Sequence, residues 1–458
     1  MKIHGRAANL RGPVALAGDK SMSHRALLHA ALSPARSTLR NVLRAGVTEA
    51  MIGCLQRLGV AIEQAGAELH VQGGAWRPVP DTLHCGNSGT TLRLMLGALA
   101  SQPLRATLDG TAGLQRRPMQ RLADPLRMMG AQIDNNFAPL TVSGGGLHGI
   151  EYAIPVASAQ VKAALLLAAL HASGPTTLHE PGPSRDHSER MLRALGVDVR
   201  SDENVVTLHP LSAALPAAHL TLPGDMSAAA FMLAIAVLVP GSVIQLQGVG
   251  VNPTRTGFLE ALQEMGADIR ITNQRDEGGE PVADLEARHS ALRAIEIGGA
   301  RVVRMIDEFP IFAVLAAQAA GRTVVRDAAE LRLKESDRIT VLAGELRKLG
   351  VVLTEHADGF ELHGPQAIRP ALVASHGDHR LAMSLAIAGL LAPGTTTVAG
   401  ADAVDESFPG FGAALQQCIR HRARRATGAK HQHWRAAQVN RVGVQIRGEA
   451  GRISVVTH

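Results

Sequence analysis

Residues 224–239 read GDMS followed by AAAFMLAIAVLV, a small polar cluster that leads directly into the longest apolar run of the chain. A helix that is apolar around its whole circumference has no face to offer water and must be buried on every side. The run is also shorter than the ~20 residues a membrane-spanning helix needs, so the burial has to be inside protein. The same order of polar cluster and apolar run recurs along the chain. It appears as GDKS from Gly18 into ALLHAAL, GNSG from Gly86 into LRLMLGALA, and ASAQ from Ala157 into AALLLAAL. It returns as IDEF from Ile306 into PIFAVLAAQAA and as GDHR from Gly377 into LAMSLAIAGLLA.

Successive starts lie 68, 71, 67, 82 and 71 residues apart. A second marker is interleaved with them, a glycine closing an amphipathic helix and followed by alternating residues, at Gly59, Gly130, Gly196, Gly266 and Gly350. Glycine suits the left-handed C-cap, and the alternation suits a strand. Each unit therefore reads as strand, buried helix, strand, amphipathic helix, strand, strand. The fold class is α/β, two domains each of three βαβαββ units, with the halves joined near residues 13–20 and 222–227, where Gly12-Pro13 and Pro223-Gly224 supply turn residues.

Composition narrows the function classes. Of 458 residues, 46% are hydrophobic, enough to build real cores and to exclude a disordered chain. Lys2 and a polar stretch follow Met1 with no apolar segment, so no secretory signal is expected and the location is expected to be cytoplasmic. Cys54, Cys85 and Cys418 are too few and too scattered for a disulfide framework or a cysteine zinc site. The net charge of +6 is misleading: residues 421–458 carry eight Lys or Arg against Glu449 alone, a surplus of seven that leaves residues 1–420 at −1. With aromatic residues at only 2%, the body lacks the basic face and stacking platforms of a nucleic-acid binder, and no such partner is expected.

Chemistry concentrates at the starts of the apolar helices. Unsatisfied N–H groups and the positive end of the helix dipole favour anions there. Of only six lysines, Lys20 and Lys334 fall in GDKSMSHR and LKESDR, and Arg93, Arg116, Arg117, Arg185, Arg338 and Arg380 lie in similar segments. Guanidinium forks suit phosphate and carboxylate, so the substrates are expected to carry several anionic groups. Asp307, Glu308, Glu335 and Asp378 are the carboxylates that could do proton work, each equally readable as a helix cap or ion-pair partner, the role to which Asp378 is assigned. No metal-ligand cluster is visible, and neither metal nor cofactor is expected. GGGLHG at 144–149 fits a dinucleotide pattern but runs into β-type sequence where a helix is required. Cys85, at an apparent helix start, is a candidate for a lowered thiol pKa, though plain packing is the commoner role.

GDKSMSHRA, GNSGTTLRL, QRRPM, ASAQVK, PSRDH, IDEFP, LKESDRI, GDHRLAM and SFPGF, in this order over residues 10–415, closely resemble the 5-enolpyruvylshikimate-3-phosphate synthase family. The resemblance implies an enolpyruvyl transferase type of fold, an inside-out α/β barrel in each half, closing over substrate. It puts residues 1–14 and 226–420 in the first domain, 15–225 in the second, and leaves 421–458 as a flexible basic extension, although Val439–Ile446 has the pattern of a strand. It implies transfer of the enolpyruvyl group of phosphoenolpyruvate to the 5-hydroxyl of shikimate-3-phosphate, by a monomer without metal or cofactor. Asp307, Glu335 and Lys20 would be catalytic. Shikimate-3-phosphate would meet Lys20, Ser21, Arg25, Ser158, Ala159 (through its backbone), Gln160, Ser184, Arg185, Asp307 and Lys334. Phosphoenolpyruvate would meet Lys20, Gly89, Arg117, Gln160, Arg338 and Arg380.

Two positions depart from the family pattern. Glu406 precedes Ser407-Phe408-Pro409 where some members have lysine, and Leu94 stands where some have proline. Gly89 is retained, the position where alanine crowds the inhibitor glyphosate in the family. The sister enzyme acting on UDP-N-acetylglucosamine carries a cysteine in the loop that here reads TAGLQRRPM at 111–119, without one. A non-catalytic RNA-associated protein is the other alternative, disfavoured by the presence of Lys20, Asp307, Glu335 and Arg338 together.

Overall fold

The six apolar runs form the helices α1 (Lys20–Leu32), α2 (Gly89–Ala100), α3 (Ala159–Ala169), α4 (Met226–Leu238), α5 (Phe309–Ala316) and α6 (His379–Leu391). They are seen in a computed structural model that describes residues 1–5, 10–415, 444–449 and 452–457. Every residue of α4 is buried, from Met226 to Leu238, as its composition requires. Polar side chains start several of these helices: Asp19, Ser88, Ser158 and Asp378 accept from backbone N–H groups of the first turns of α1, α2, α3 and α6. Among the described residues no helix is long and apolar enough to cross a membrane.

The chain divides into two compact units. One holds Met1–Leu16, Met226–Gln274 and the chain from Ala283 onward; the other holds Ala17–Asp225 together with Arg275–Val282, the tip of a hairpin. The sequence did not anticipate that this tip would group with the second unit. Each unit has its own hydrophobic core, centred on α4–α6 in the first and α1–α3 in the second.

Three four-stranded sheets surround the helices of the second unit, and the strand order is the same in each. Strands 83–84, 105–109, 140–143 and 132–133 lie side by side, the first pair parallel and the rest antiparallel. A parallel pair needs a crossover, which α2 supplies, whereas the antiparallel pair is joined by a short turn. Strands 151–153, 176–179, 205–208 and 199–202 repeat the pattern around α3. In the third sheet the parallel neighbour of strand 36–40 is 219–221, from the far end of the unit. The first unit does the reciprocal thing: strand 11–14 pairs in parallel with 243–250, completing the unit built on α4. Strand 2–4 likewise joins 395–399 and 372–374 in the sheet beside α6.

Glycines close the amphipathic helices in the left-handed region, with φ of 93°, 109°, 79°, 93° and 85° at Gly59, Gly130, Gly196, Gly266 and Gly350. The flexible extension expected over 421–458 falls largely outside the described residues. The two segments described there, Val444–Glu449 and Arg452–Thr457, pair as an antiparallel hairpin.

Alanine and glycine let α2 and α3 approach closely. A Cβ added at Gly97 would lie 2.2 Å from the carbonyl oxygen of Ala164, a backbone atom that cannot step aside. Gly97→Ala should therefore force the two helices apart and lower stability by about 1–3 kcal/mol. Urea unfolding measures this directly, and an unchanged midpoint would show the helices free to slide.

Candidate active site

Hydrogen bonds between side chains bring the starts of α1, α2 and α3 together in the second unit. Arg25, one turn into α1 and 2% exposed, donates from Nε to Ser188 Oγ (2.7 Å), and from its terminal nitrogens to the carbonyls of Ser21 (2.9 Å) and Ala159 (3.2 Å). It thus ties the first turn of α1 to that of α3. Arg93 on α2 donates to Gln160 Oε1 (2.6 Å), and Gln160 Nε2 donates to Thr90 Oγ1 (3.0 Å). Gly89 leaves room above α2: a Cβ there would come 2.9 Å from Arg93 and 3.0 Å from Arg117. Lys20, Ser21, Ser158 and Ala159 are half-buried at the same helix starts. The Lys20 backbone N–H donates to Asp225 Oδ2 (3.1 Å). Ser184 is buried, and its hydroxyl finds no hydrogen-bond partner among the described residues, as a ligand-seeking group would. The neighbouring Arg185, half-buried, lies close enough to Arg25 to oppose its charge.

Behind these groups lies a fully buried charge network. Lys162 Nζ is 2.7 Å from both Glu180 and Glu189, all three side chains 3% exposed or less. Burial opposes the Lys162 charge, but the two carboxylates outweigh it and raise its pKa. Burial lowers the Arg25 pKa to about 10, with Glu189 pulling the other way. His24 donates from one ring nitrogen to the Lys20 carbonyl (2.7 Å), and burial lowers its pKa to about 4; His29, further along α1, falls to about 3 for the same reason.

In the first unit the starts of α4, α5 and α6 converge on carboxylates. Arg338, 1% exposed, donates to Asp378 from Nε (2.8 Å) and to Glu335 (2.8 Å), and its other terminal nitrogen lies 3.4 Å from Asp307. Arg380 at the start of α6 is 3.6 Å from the other Asp307 oxygen and 3.8 Å from Glu308. Asp307 is therefore held between two guanidinium groups while keeping 17% side-chain exposure. Glu308 accepts from the Ser227 hydroxyl, and Arg255 donates to the same hydroxyl (2.9 Å). Burial would lower the Arg338 pKa, but Asp378, Glu335 and Asp307 together raise it. Asp378, opposed by burial, is held ionised by Arg338, its pKa below the usual carboxylate range. Lys334, half-buried, has a lowered pKa, through desolvation first and the nearby Arg338, against the opposing pull of Asp307.

The structure thus gathers Lys20, Ser21, Arg25, Gly89, Arg117, Ser158, Ala159, Gln160, Ser184 and Arg185 in one unit, and Asp307, Lys334, Glu335, Arg338 and Arg380 in the other. Asp378 caps α6 and pairs with Arg338, as its position at a helix start suggested. The lowered thiol considered for Cys85 is overturned: contact with Cys54 and burial push it well up. Glu406 closes the short 3₁₀ helix Ala401–Glu406. Sequence reasoning gave no role to Ser188, Glu189, Ser227 or Arg255. The signal for Glu189 was the charged Lys162 inside an apolar helix, which demands a buried anion. Among the described residues no group of three or more His, Cys, Asp or Glu is arranged to hold a metal.

Each unit thus has sheets outside, apolar helices inside and ionic clusters at the helix starts. The solved enolpyruvyl transferase NikO from Streptomyces tendae shares this fold, with a TM-score of 0.75 at 21% identity over 91% of this chain and 97% of that one. More closely, the chain belongs to the EPSP synthase (3-phosphoshikimate 1-carboxyvinyltransferase) family, whose model matches residues 5–415. It is 46% identical over 418 residues to the 3-phosphoshikimate 1-carboxyvinyltransferase of Syntrophomonas wolfei, covering 90% of this chain and 97% of the relative. It resembles the solved EPSP synthase from Acinetobacter baumannii with a TM-score of 0.82 and 39% identity, over 91% and 97% of the two chains.

The buried histidines set an acid limit. A histidine whose folded pKa is depressed stays neutral in the fold while the unfolded chain takes up the proton. Stability is then fully present above the unfolded value of 6.5 and is lost as pH falls toward 4. Each of His24 and His29 should contribute a loss of about 1.4 kcal/mol per pH unit in that window. Urea unfolding at pH 7 and pH 4.5 should show the decline, and His29→Leu should flatten it.

Proposed function

We propose that this chain transfers the enolpyruvyl group of phosphoenolpyruvate to the 5-hydroxyl of shikimate-3-phosphate and releases inorganic phosphate. The observation that carries this reading is Asp307, partly exposed and fixed between Arg338 and Arg380. A carboxylate so held is oriented to take a proton from an attacking hydroxyl, and the adjacent cations suit a substrate bearing phosphate and carboxylate.

The hydroxyl oxygen attacks C2 of phosphoenolpyruvate as its proton passes to Asp307, and C3 takes a proton from Glu335 or Lys20. The resulting tetrahedral intermediate loses phosphate from C2 and a proton from C3, which restores the carbon–carbon double bond. Lys20, Arg117, Arg338 and Arg380 with Gly89 and Gln160 bind phosphoenolpyruvate. Lys20, Ser21, Arg25, Ser158, Ala159, Gln160, Ser184 and Arg185 bind shikimate-3-phosphate, and Lys334 holds Asp307 and the substrate. The lowered pKa of Lys334 makes it a readier proton partner than a solvent-exposed lysine. The loop at 111–119, without cysteine, supports this reading over the UDP-N-acetylglucosamine enzyme.

Phosphate release should require both substrates together, and Asp307→Ala should reduce it by about 10²–10⁴-fold, the range of a general base. Release with phosphoenolpyruvate and UDP-N-acetylglucosamine instead would sink the assignment. Glyphosate should compete with phosphoenolpyruvate, and Gly89→Ala, which pushes its methyl toward Arg93 and Arg117, should weaken the inhibitor. Initial rates unmoved by excess glyphosate at low phosphoenolpyruvate would count against that placement.

A further inference from the structure

Helix 187–194 begins with three consecutive buried polar residues, each bound to a different element. His187, Ser188 and Glu189 are 2%, 3% and 1% exposed. His187 Nδ1 meets Glu280 Oε1 (2.7 Å) on the hairpin tip 275–282. Ser188 Oγ accepts from Arg25 Nε (2.7 Å) on α1, and Glu189 pairs with Lys162 Nζ (2.7 Å) on α3. A second contact holds the tip, from the Arg190 guanidinium to the Gly279 carbonyl (3.1 Å). Buried polar groups are held in place by their partners, because leaving any one unsatisfied is costly. This turn therefore fixes α1 and α3 against a common frame.

We propose that Ser188 and Glu189 are positioning residues for shikimate-3-phosphate: through Arg25 and Lys162 they set the spacing between the first turns of α1 and α3, while His187 anchors their turn to Glu280. Arg25 has five N–H donors. One goes to Ser188, and two go to the carbonyls of Ser21 and Ala159, the backbone of the two turns assigned to this substrate. Without the Ser188 acceptor, the guanidinium keeps only the two carbonyls it positions, and its place between the turns is no longer fixed from outside them. Glu280 acts one step further back, through His187. The proposal rests on the functional reading above, and it concerns only the substrate assigned to these turns.

Ser188→Ala, Ser188→Thr and Glu280→Gln test it beside the wild type, with KM measured separately for each substrate. Ser188→Ala should raise KM for shikimate-3-phosphate about tenfold, the loss of one hydrogen bond to a charged group. KM for phosphoenolpyruvate should stay within about twofold and kcat within about threefold, while Ser188→Thr restores the wild-type value. Glu280→Gln should move the same KM in the same direction, by less. An active wild type with folded variants whose KM values are unchanged, or rise equally for both substrates, overturns the positioning role alone. A wild type that releases no phosphate from the two substrates overturns the functional reading, and the positioning role with it.

Discussion

Six helices with no polar face have to be enclosed, and that constraint organises everything else in the molecule. In each unit three of them pack against one another, and the sheets take the outside. Their polar ends cannot be treated the same way. The first turn of a helix leaves N–H groups unbonded, and a buried start needs partners. Asp19, Ser88, Ser158 and Asp378 meet part of that need, and the rest of each start is left to carry charge. Packing the helices thus brings three positive dipole ends together in each unit, and each such end favours an anion by about 0.3–1 kcal/mol before any side chain is added.

The two units use this arrangement differently. In the second, cations stand at the helix starts, and their counter-charges, Glu180 and Glu189, are sunk in the core. In the first, carboxylates and guanidiniums alternate, so Asp307 is fixed yet still partly exposed. Arg338 cannot lose its anions cheaply: breaking a buried ion pair costs about 3–5 kcal/mol, since the remaining charge stays uncompensated. The cluster is rigid for that reason, which suits a carboxylate that has to meet one particular hydroxyl. Two electrostatic environments, a cationic one and one of alternating charge, come from one packing rule with different residues at the helix starts.

Much of the candidate site was legible because its residues cluster in sequence at features that are themselves legible. Lys20, Ser21, Gly89, Ser158 and Gln160 lie at helix starts that the apolar runs announce. Asp307 and Arg380 were found the same way. What stayed hidden is the support behind them. Ser188 is 163 residues from Arg25, and Ser227 is 81 from Glu308, separations that no local pattern spans. At Cys85 the helix start allowed a lowered thiol pKa with plain packing as the commoner role, and contact with Cys54 and burial push that pKa up instead.

By itself the sequence determined the repeat, because strand and helix periods are local properties and a wholly apolar helix has only one stable environment. It also determined which residue types stand at the helix starts, and hence the anionic character of the substrates. Tertiary structure decided the pairing itself, 11–14 in parallel with 243–250 and 219–221 in parallel with 36–40, since parallel partners far apart in the chain carry no local mark of each other. It also decided that Asp307 lies between Arg338 and Arg380 and that Arg25 is anchored from helix 187–194. Those contacts depend on how buried helices pack, and packing is set by the whole core rather than by any one segment.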